Sequence, residues 1–203
     1  MDLASRGHDV QYSACTLLLG TALTAVTTWL VLQGVIPLAT TLPGAGRLSF
    51  EVTTYVLLFD AYFYGLHRLL HTPSLFRVVH AVHHRSTAPS IFTALAFHPL
   101  EALLILGFVP VAMWLLPIHL LSLAVVSVFL SGSILLAHTA HDPFPRWWGG
   151  TPLLRAYVTP RVHHVHHARR DCNYSATFSL FDRLFGTLQS DDARRARGGA
   201  AAG

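Results

Sequence analysis

Lysine is absent from this chain of 203 residues, so all 14 of its basic side chains are arginines. Charge of either sign is scarce: Asp, Glu, Lys and Arg make up 12% of the residues, against 52% hydrophobic. A soluble domain carries about 25% charged residues, so this composition argues against an ordinary soluble fold and for lipid as much of the solvent. Cysteine occurs only at Cys15 and Cys172, far apart and in no CxxC spacing. That excludes a zinc ribbon or thiolate cluster and leaves two unpaired thiols. The chain has no GxGxxG fingerprint, no haem-attachment motif and no HExxH pair, which removes a built-in dinucleotide domain, a covalently held haem and a zincin-type protease. One domain is expected at this length, so any redox domain has to sit on another chain.

What the chain does have is a set of apolar runs, at about 15–39, 49–66, 100–116 and 118–137. Each is close to the roughly 20 residues that span a bilayer. The first ends in a turn rich in proline and glycine, Pro37 through Gly46, and no small-residue cleavage site follows it, so it reads as a retained span and not a signal peptide. The third and fourth are divided by Pro117 and read as a hairpin, as do the first and second. Two hairpins return the N-terminus, the polar stretch His67–Pro89 and everything after Ala137 to one side. Arginine placement tests this. Arg6, Arg68, Arg77, Arg85 and every arginine from Arg146 onward fall on that shared side, and only Arg47 on the other. Positive residues collect in cytoplasmic loops, so the shared side is read as cytoplasmic. The basic pI of about 9.5 therefore reports membrane orientation and not a nucleic-acid partner. The fold class expected is all-α, an integral membrane four-helix bundle within residues 1–190, followed by a disordered Gly/Ala-rich tail over 191–203.

Histidine is the other excess, with 14 residues. His67 and His71 form HxxxH; His80-Ala-Val-His83-His84 and His163-His164-Val-His166-His167 share HxxHH; His138 and His141 lie between them. On an α-helix residues i, i+3 and i+4 project from one face, so each motif is expected to aim its imidazoles at one point. A single tetrahedral zinc takes four ligands, and the supply here exceeds that, which favours two metals. A lone histidine in an apolar chain is ordinarily a hydrogen-bonded or exposed residue, the reading for His8 and His119. Clustered imidazoles without a metal would instead bury unpaired polar groups at a cost of a few kcal/mol each.

These motifs, together with Asp60-Ala-Tyr62, His98-Pro99-Leu-Glu101, Asn173-Tyr174 and Phe181-Asp182-Arg183-Leu184-Phe185-Gly186-Thr187, resemble in order and spacing the fatty acid hydroxylase and sterol desaturase superfamily of membrane di-iron oxygenases, over about Asp60–Thr187. The resemblance implies a four-helix membrane bundle capped by a cytosolic histidine-rich helical unit. It also implies two iron ions held by His67, His71, His80, His83, His84, His138, His163, His166 and His167, with His141 as a tenth candidate; His164 is not assigned. Ser175 and Phe181 stand where relatives commonly carry glycine and tryptophan. Asp60, His98, Glu101, Asp142 and Asn173 are candidates to orient the ligands. Asp60 is expected to pair with Arg68 or a histidine, because an ionisable group inside a span is costly, and Glu101 either orients an imidazole or caps the third span.

The implied activity is O2-dependent hydroxylation or desaturation of a C–H bond in a lipid-like substrate, such as a fatty acid, sterol or carotenoid. Electrons come from a separate ferredoxin, cytochrome or NAD(P)H-dependent reductase. Zinc is an expected substitute for iron in a purified sample, since imidazole sites accept several divalent metals. Two other classes are weighed. A membrane metal transporter or storage protein places ligands along a mid-membrane path, and a zinc-dependent membrane hydrolase needs one metal beside a general base.

Overall fold

The computed structural model describes residues 3–86, 90–151 and 154–189; the tail at 191–203 lies outside them. Four long helices form the frame: α1 (Leu3–Leu32), α2 (Ala45–Leu70), α4 (Pro99–Leu115) and α5 (Leu120–Ala137). Shorter ones follow α2 and α5, namely α3 (Pro73–Leu75), α6 (Pro160–Arg169) and α7 (Leu180–Leu184), with π and 3-10 turns between them.

The first helix starts well before the apolar run at Cys15, because nothing from Leu3 onward breaks it. It stops near Gly34, whose φ of +73° is one that a side chain would resist. Helix α4 opens on Pro99, a proline whose missing N–H costs nothing in a first turn. The two interhelical turns contain strands of two residues, β1 (Leu38–Ala39) and β2 (Ile118–His119), which pair in parallel with Leu38 opposite Ile118. An all-α reading misses this clip between the hairpin turns.

Helix α1 packs on α4, and α2 packs on α5 and touches α4. The shared core includes Tyr55, Phe59, Ile105, Met113, Val126 and Leu130. Tyrosine hydroxyls and a buried carboxylate lock the helices. The Tyr55 hydroxyl donates to the Ala112 and Leu116 carbonyls, and Tyr62 to the Leu104 carbonyl at 2.7 Å. At the clip, buried Glu51 accepts from the His119 backbone N–H at 3.2 Å and from Arg47 Nε at 2.6 Å, and faces the His119 ring at 2.9 Å.

The outer faces are apolar. Leu17, Leu18, Trp29 and Leu32 on α1, Trp114 and Leu115 on α4, and Val128 on α5 are all exposed. By length and composition, the stretch Gly7–Leu32 and helix α5 are suited to cross a membrane, and α4 is a shorter apolar helix. Helix α2 is long enough but carries Arg47, Glu51, Asp60 and Arg68.

Candidate metal centre

Nine of the ten histidines expected as ligands converge at one end of the helices. The last turn of α2 supplies His67, and its C-cap is His71. A π-helical turn, Phe76–His80, and a 3-10 turn, His83–Arg85, carry the first HxxHH motif. His138 is the C-cap of α5, and α6 carries the second HxxHH motif.

The imidazoles sort into two groups: His67, His71, His80, His84 and His166 in one, and His83, His138, His163 and His167 in the other. Within each, one nitrogen from every ring lies within 4.8 Å of all the others. The expectation that each HxxHH motif aims at a single point is corrected by this. Successive residues on an α-helix point 100° apart, so His163 and His167 share a direction and His166 diverges to the other group. In the first motif the chain is not α-helical, and His83 turns away from His80 and His84.

Whether these residues fit a metal is decided by proton placement. Four rings commit Nδ1 to an oxygen acceptor: His67 to the Tyr174 carbonyl (2.7 Å), His80 to Glu101 Oε1 (2.7 Å), His138 to the Ile134 carbonyl (2.8 Å) and His166 to the Cys172 carbonyl (2.7 Å). A neutral imidazole whose Nδ1 carries the proton has a bare lone pair on Nε2. Yet His67 Nε2 and His80 Nε2, both bare, face each other at 3.1 Å. Further Nε2–Nε2 approaches are 3.0 Å for His84–His166, 3.0 Å for His138–His163, 3.1 Å for His163–His167 and 3.5 Å for His83–His138. A metal–nitrogen bond of about 2.1 Å puts neighbouring ligand nitrogens about 3.0–3.4 Å apart. Two bare lone pairs at this separation, as in His67–His80, repel unless a cation lies between them, and the other contacts have the same ligand spacing, so the donor set fits one metal ion per group.

Burial keeps the rings in the ligating form. His80, His83, His163, His166 and His167 are held well below the ordinary imidazole value of 6.5, first by loss of water and then by the neighbouring histidines; His71 is pushed down to about 3 by the same causes. Neutral imidazole is the form that binds a metal.

The two carbonyls that orient His67 and His166 belong to one buried segment, 172–178, and carboxylates brace it. Asp182 accepts the backbone N–H groups of Tyr174 (2.8 Å) and Ser175 (2.9 Å). Asp60 accepts those of Thr177 (2.9 Å) and Phe178 (2.8 Å). The partner expected for Asp60, Arg68 or a histidine, is thus replaced by backbone, because α2 runs beside this segment. Asn173, at φ +57°, donates to the Val162 and Gln189 carbonyls. Asp142 lies apart from the rings; it accepts from Phe144 N–H and pairs with Arg161 Nε at 3.1 Å. His98 caps α4 by accepting Leu100 N–H at 3.2 Å, which leaves Glu101 to hold His80. His141 is exposed and outside both groups, because α5 ends at Ala137 and the turn after it carries His141 off the helical face. The orienting role of Asp182 and the Cys172 and Tyr174 carbonyls has no residue-type signal beyond the acidic group in Phe181-Asp182-Arg183.

A cavity of about 30 Å³ touches rings of both groups, His67 and His80 on one side and His83, His138 and His163 on the other. Its remaining wall is mostly apolar, with Phe63, Phe97, Ile105 and Ile134.

The model of the fatty acid hydroxylase family matches residues 52–187, a stretch that contains both groups. The chain belongs to the fatty acid hydroxylase family. Relatives within the superfamily carry several activities in their names. A C-4 methylsterol oxidase of Schizosaccharomyces pombe is 30% identical over 158 residues, covering 76% of this chain and 52% of the relative. A very-long-chain aldehyde decarbonylase of Oryza sativa subsp. indica is 38% identical over 141 residues, covering 68% and 51%. A Delta(7)-sterol 5(6)-desaturase of Eremothecium gossypii is 29% identical over 151 residues, covering 73% and 40%. The chain thus spans about half the length of the curated relatives it matches. No solved structure matches it.

Proposed function

We propose that this member of the fatty acid hydroxylase family is a multi-pass membrane oxidoreductase that holds two iron ions on the cytoplasmic side and uses O2 with external electrons to hydroxylate or desaturate a lipid-like substrate. The observation that carries the reading is the pair of imidazole groups whose Nε2 atoms face one another at ligand spacing, two of them bare in the His67–His80 contact, beside one apolar cavity. The names of the relatives, with sterol and aldehyde substrates, support a lipid-like substrate.

The bound irons would supply dioxygen activation and abstraction of hydrogen from an unactivated C–H bond. The chain's residues do the rest. Nine histidines are the proposed ligands: His67, His71, His80, His84 and His166 for one ion, and His83, His138, His163 and His167 for the other. Glu101 and the Tyr174, Ile134 and Cys172 carbonyls fix the tautomers of four rings, so that Nε2 faces inward. Phe63, Phe97, Ile105 and Ile134 exclude water beside the rings, and the reacting carbon is selected by where these side chains let an apolar chain come to rest. The cavity admits about two water-sized molecules, so substrate entry requires these side chains to part. Electrons arrive from a separate carrier protein.

Metal analysis of protein purified after iron reconstitution is expected to give two irons per chain, with oxygen-dependent gain of oxygen or loss of hydrogen in lipid extracts by mass spectrometry. One zinc per chain with hydrolytic activity, or metal transport without redox turnover, would overturn the reading.

A further inference from the structure

Beneath the histidines a buried polar cluster joins α1 to the loop that follows the first HxxHH motif. Asp9 is 1% exposed. Its Oδ2 accepts the Ser86 hydroxyl at 2.7 Å and the Thr93 hydroxyl at 2.9 Å, and Oδ1 faces His8 Nδ1 at 3.3 Å. One turn on, the Ser13 hydroxyl donates to the Phe92 carbonyl at 2.6 Å. Thr93 Oγ1 also accepts the Ser90 backbone N–H at 3.1 Å. One carboxylate oxygen on α1 therefore holds both Ser86 and Thr93, residues separated from it by more than 70 positions in sequence.

Each tether sits close to a metal-group histidine. Ser86 comes two residues after His84. Thr93 opens the 3-10 turn Thr93–Leu95, which leads to Phe97, and the Phe97 ring stacks on His83 at 4.9 Å between centroids. His83 and His84 belong to different groups, so the two tethered residues adjoin both. A buried carboxylate is costly unless its oxygens are satisfied, and nothing about packing α1 on α4 requires one at this position. Asp9 also lies outside residues 52–187, the segment matched by the family.

We propose that Asp9 is a positioning residue of the metal centre, fixing the His83–His84 pair through Ser86 and Thr93, and that α1 is thereby part of the site and not merely an anchor. The proposal rests on the metal reading above. With the carboxylate removed, Ser86 and Thr93 lose their common tether, His83 and His84 lose their fixed direction, and metal binding weakens in both groups. Partners that orient ligands commonly contribute 10–100-fold in metal affinity, and one acting through a loop belongs near the lower end.

The test is Co(II) titration of the detergent-purified full chain, followed by the ligand-field absorption of bound cobalt, so that no turnover is needed. Wild type is expected to bind two Co(II) per chain. Asp9→Asn and the Ser86→Ala/Thr93→Val double variant should each bind about tenfold more weakly with an altered cobalt spectrum, and combining them should add little further loss, since they sever the same tethers. Asp9→Glu, which keeps the carboxylate, should recover part of the affinity. Variants that melt at a lower temperature but show the wild-type cobalt affinity and spectrum overturn the proposal. Because the double variant keeps Asp9 itself, failure of an Asp9 variant to fold leaves a second measurement that decides. Absence of cobalt binding by wild type overturns the metal reading along with it.

Discussion

At the scale of single residues, the centre is arranged by proton placement. Glu101 is the clearest case: one oxygen accepts a hydrogen bond from His80 Nδ1–H, and both side chains are 1% exposed. Glu101→Ala removes the acceptor that fixes the tautomer, so His80 becomes free to present the wrong nitrogen. A 10–100-fold loss of metal affinity is expected, measured by chelator competition; Glu101→Gln, which keeps an acceptor oxygen, should lose less. His83→Ala should abolish activity and lower metal content. His119→Ala should leave metal content and activity unchanged, because His119 sits at the opposite turn against Glu51. It should nevertheless lower stability by about 1–3 kcal/mol, the cost of stranding part of a buried acceptor, read in a denaturation midpoint.

Residue chemistry also sets a pH dependence for the metal-free protein. His80, His83, His163, His166 and His167 are held well below 6.5 in the folded chain. The unfolded chain takes up protons on them as pH falls through 6.5, and the folded chain does not. The unfolded state therefore binds more protons, and stability falls with falling pH. Thermal scans of apo protein from pH 7.5 to 5.5 are expected to show a declining melting temperature, with the decline beginning near 6.5; a flat profile would contradict the burial of these rings.

At the scale of elements, the segment 172–178 is the part that matters most and was least legible. The sequence shows why His163 and His167 act together, since i, i+4 spacing on a helix is directly readable. It does not show that His166 reaches the other group, because that depends on where α6 lies relative to α2. Nor does spacing reveal that the first HxxHH motif runs through π and 3-10 turns, as such turns have no firm residue signature. Asp60 was visible as an ionisable group in an apolar run, yet its partners are backbone N–H groups more than 100 residues away, which no local pattern encodes. Asp182 is the complementary brace. Asp182→Ala leaves two buried N–H groups unpaired, at about 1–3 kcal/mol each, and frees the Tyr174 carbonyl that orients His67. Lower stability together with weaker metal binding is the expected result; Asn at this position, which keeps one acceptor, should be intermediate in both.

At the scale of the whole molecule, the apolar runs and arginine placement carried the membrane reading further than any single helix does. Helix α2, read as the second span from the run 49–66, holds buried Asp60 and Glu51 and is not among the helices long and apolar enough to cross a membrane by composition alone. Its charges are satisfied inward, by backbone at one end and by Arg47 and His119 at the other, so the face it leaves outward is apolar: Phe50, Leu57 and Leu58 are exposed there. Exposed leucine, valine and tryptophan likewise run along α1, α4 and α5, far beyond the apolar patch a soluble monomer tolerates. Lipid is the surrounding that makes such a surface stable, and polar backbone within it is satisfied because each long element is helical. The β1–β2 clip and the histidines lie at opposite ends of these helices, and in the proposed two-hairpin arrangement a bilayer around the belt would place Arg47 on one side and Arg68, Arg77 and Arg85 with the histidine groups on the other. Reporter fusions should therefore score the loop at Pro43 as external, and a site beside Arg85 as cytoplasmic. Both loops scoring on the same side would contradict the two-hairpin arrangement, whereas an inverted assignment would keep the hairpins and reverse only the side from which electrons reach the metal centre.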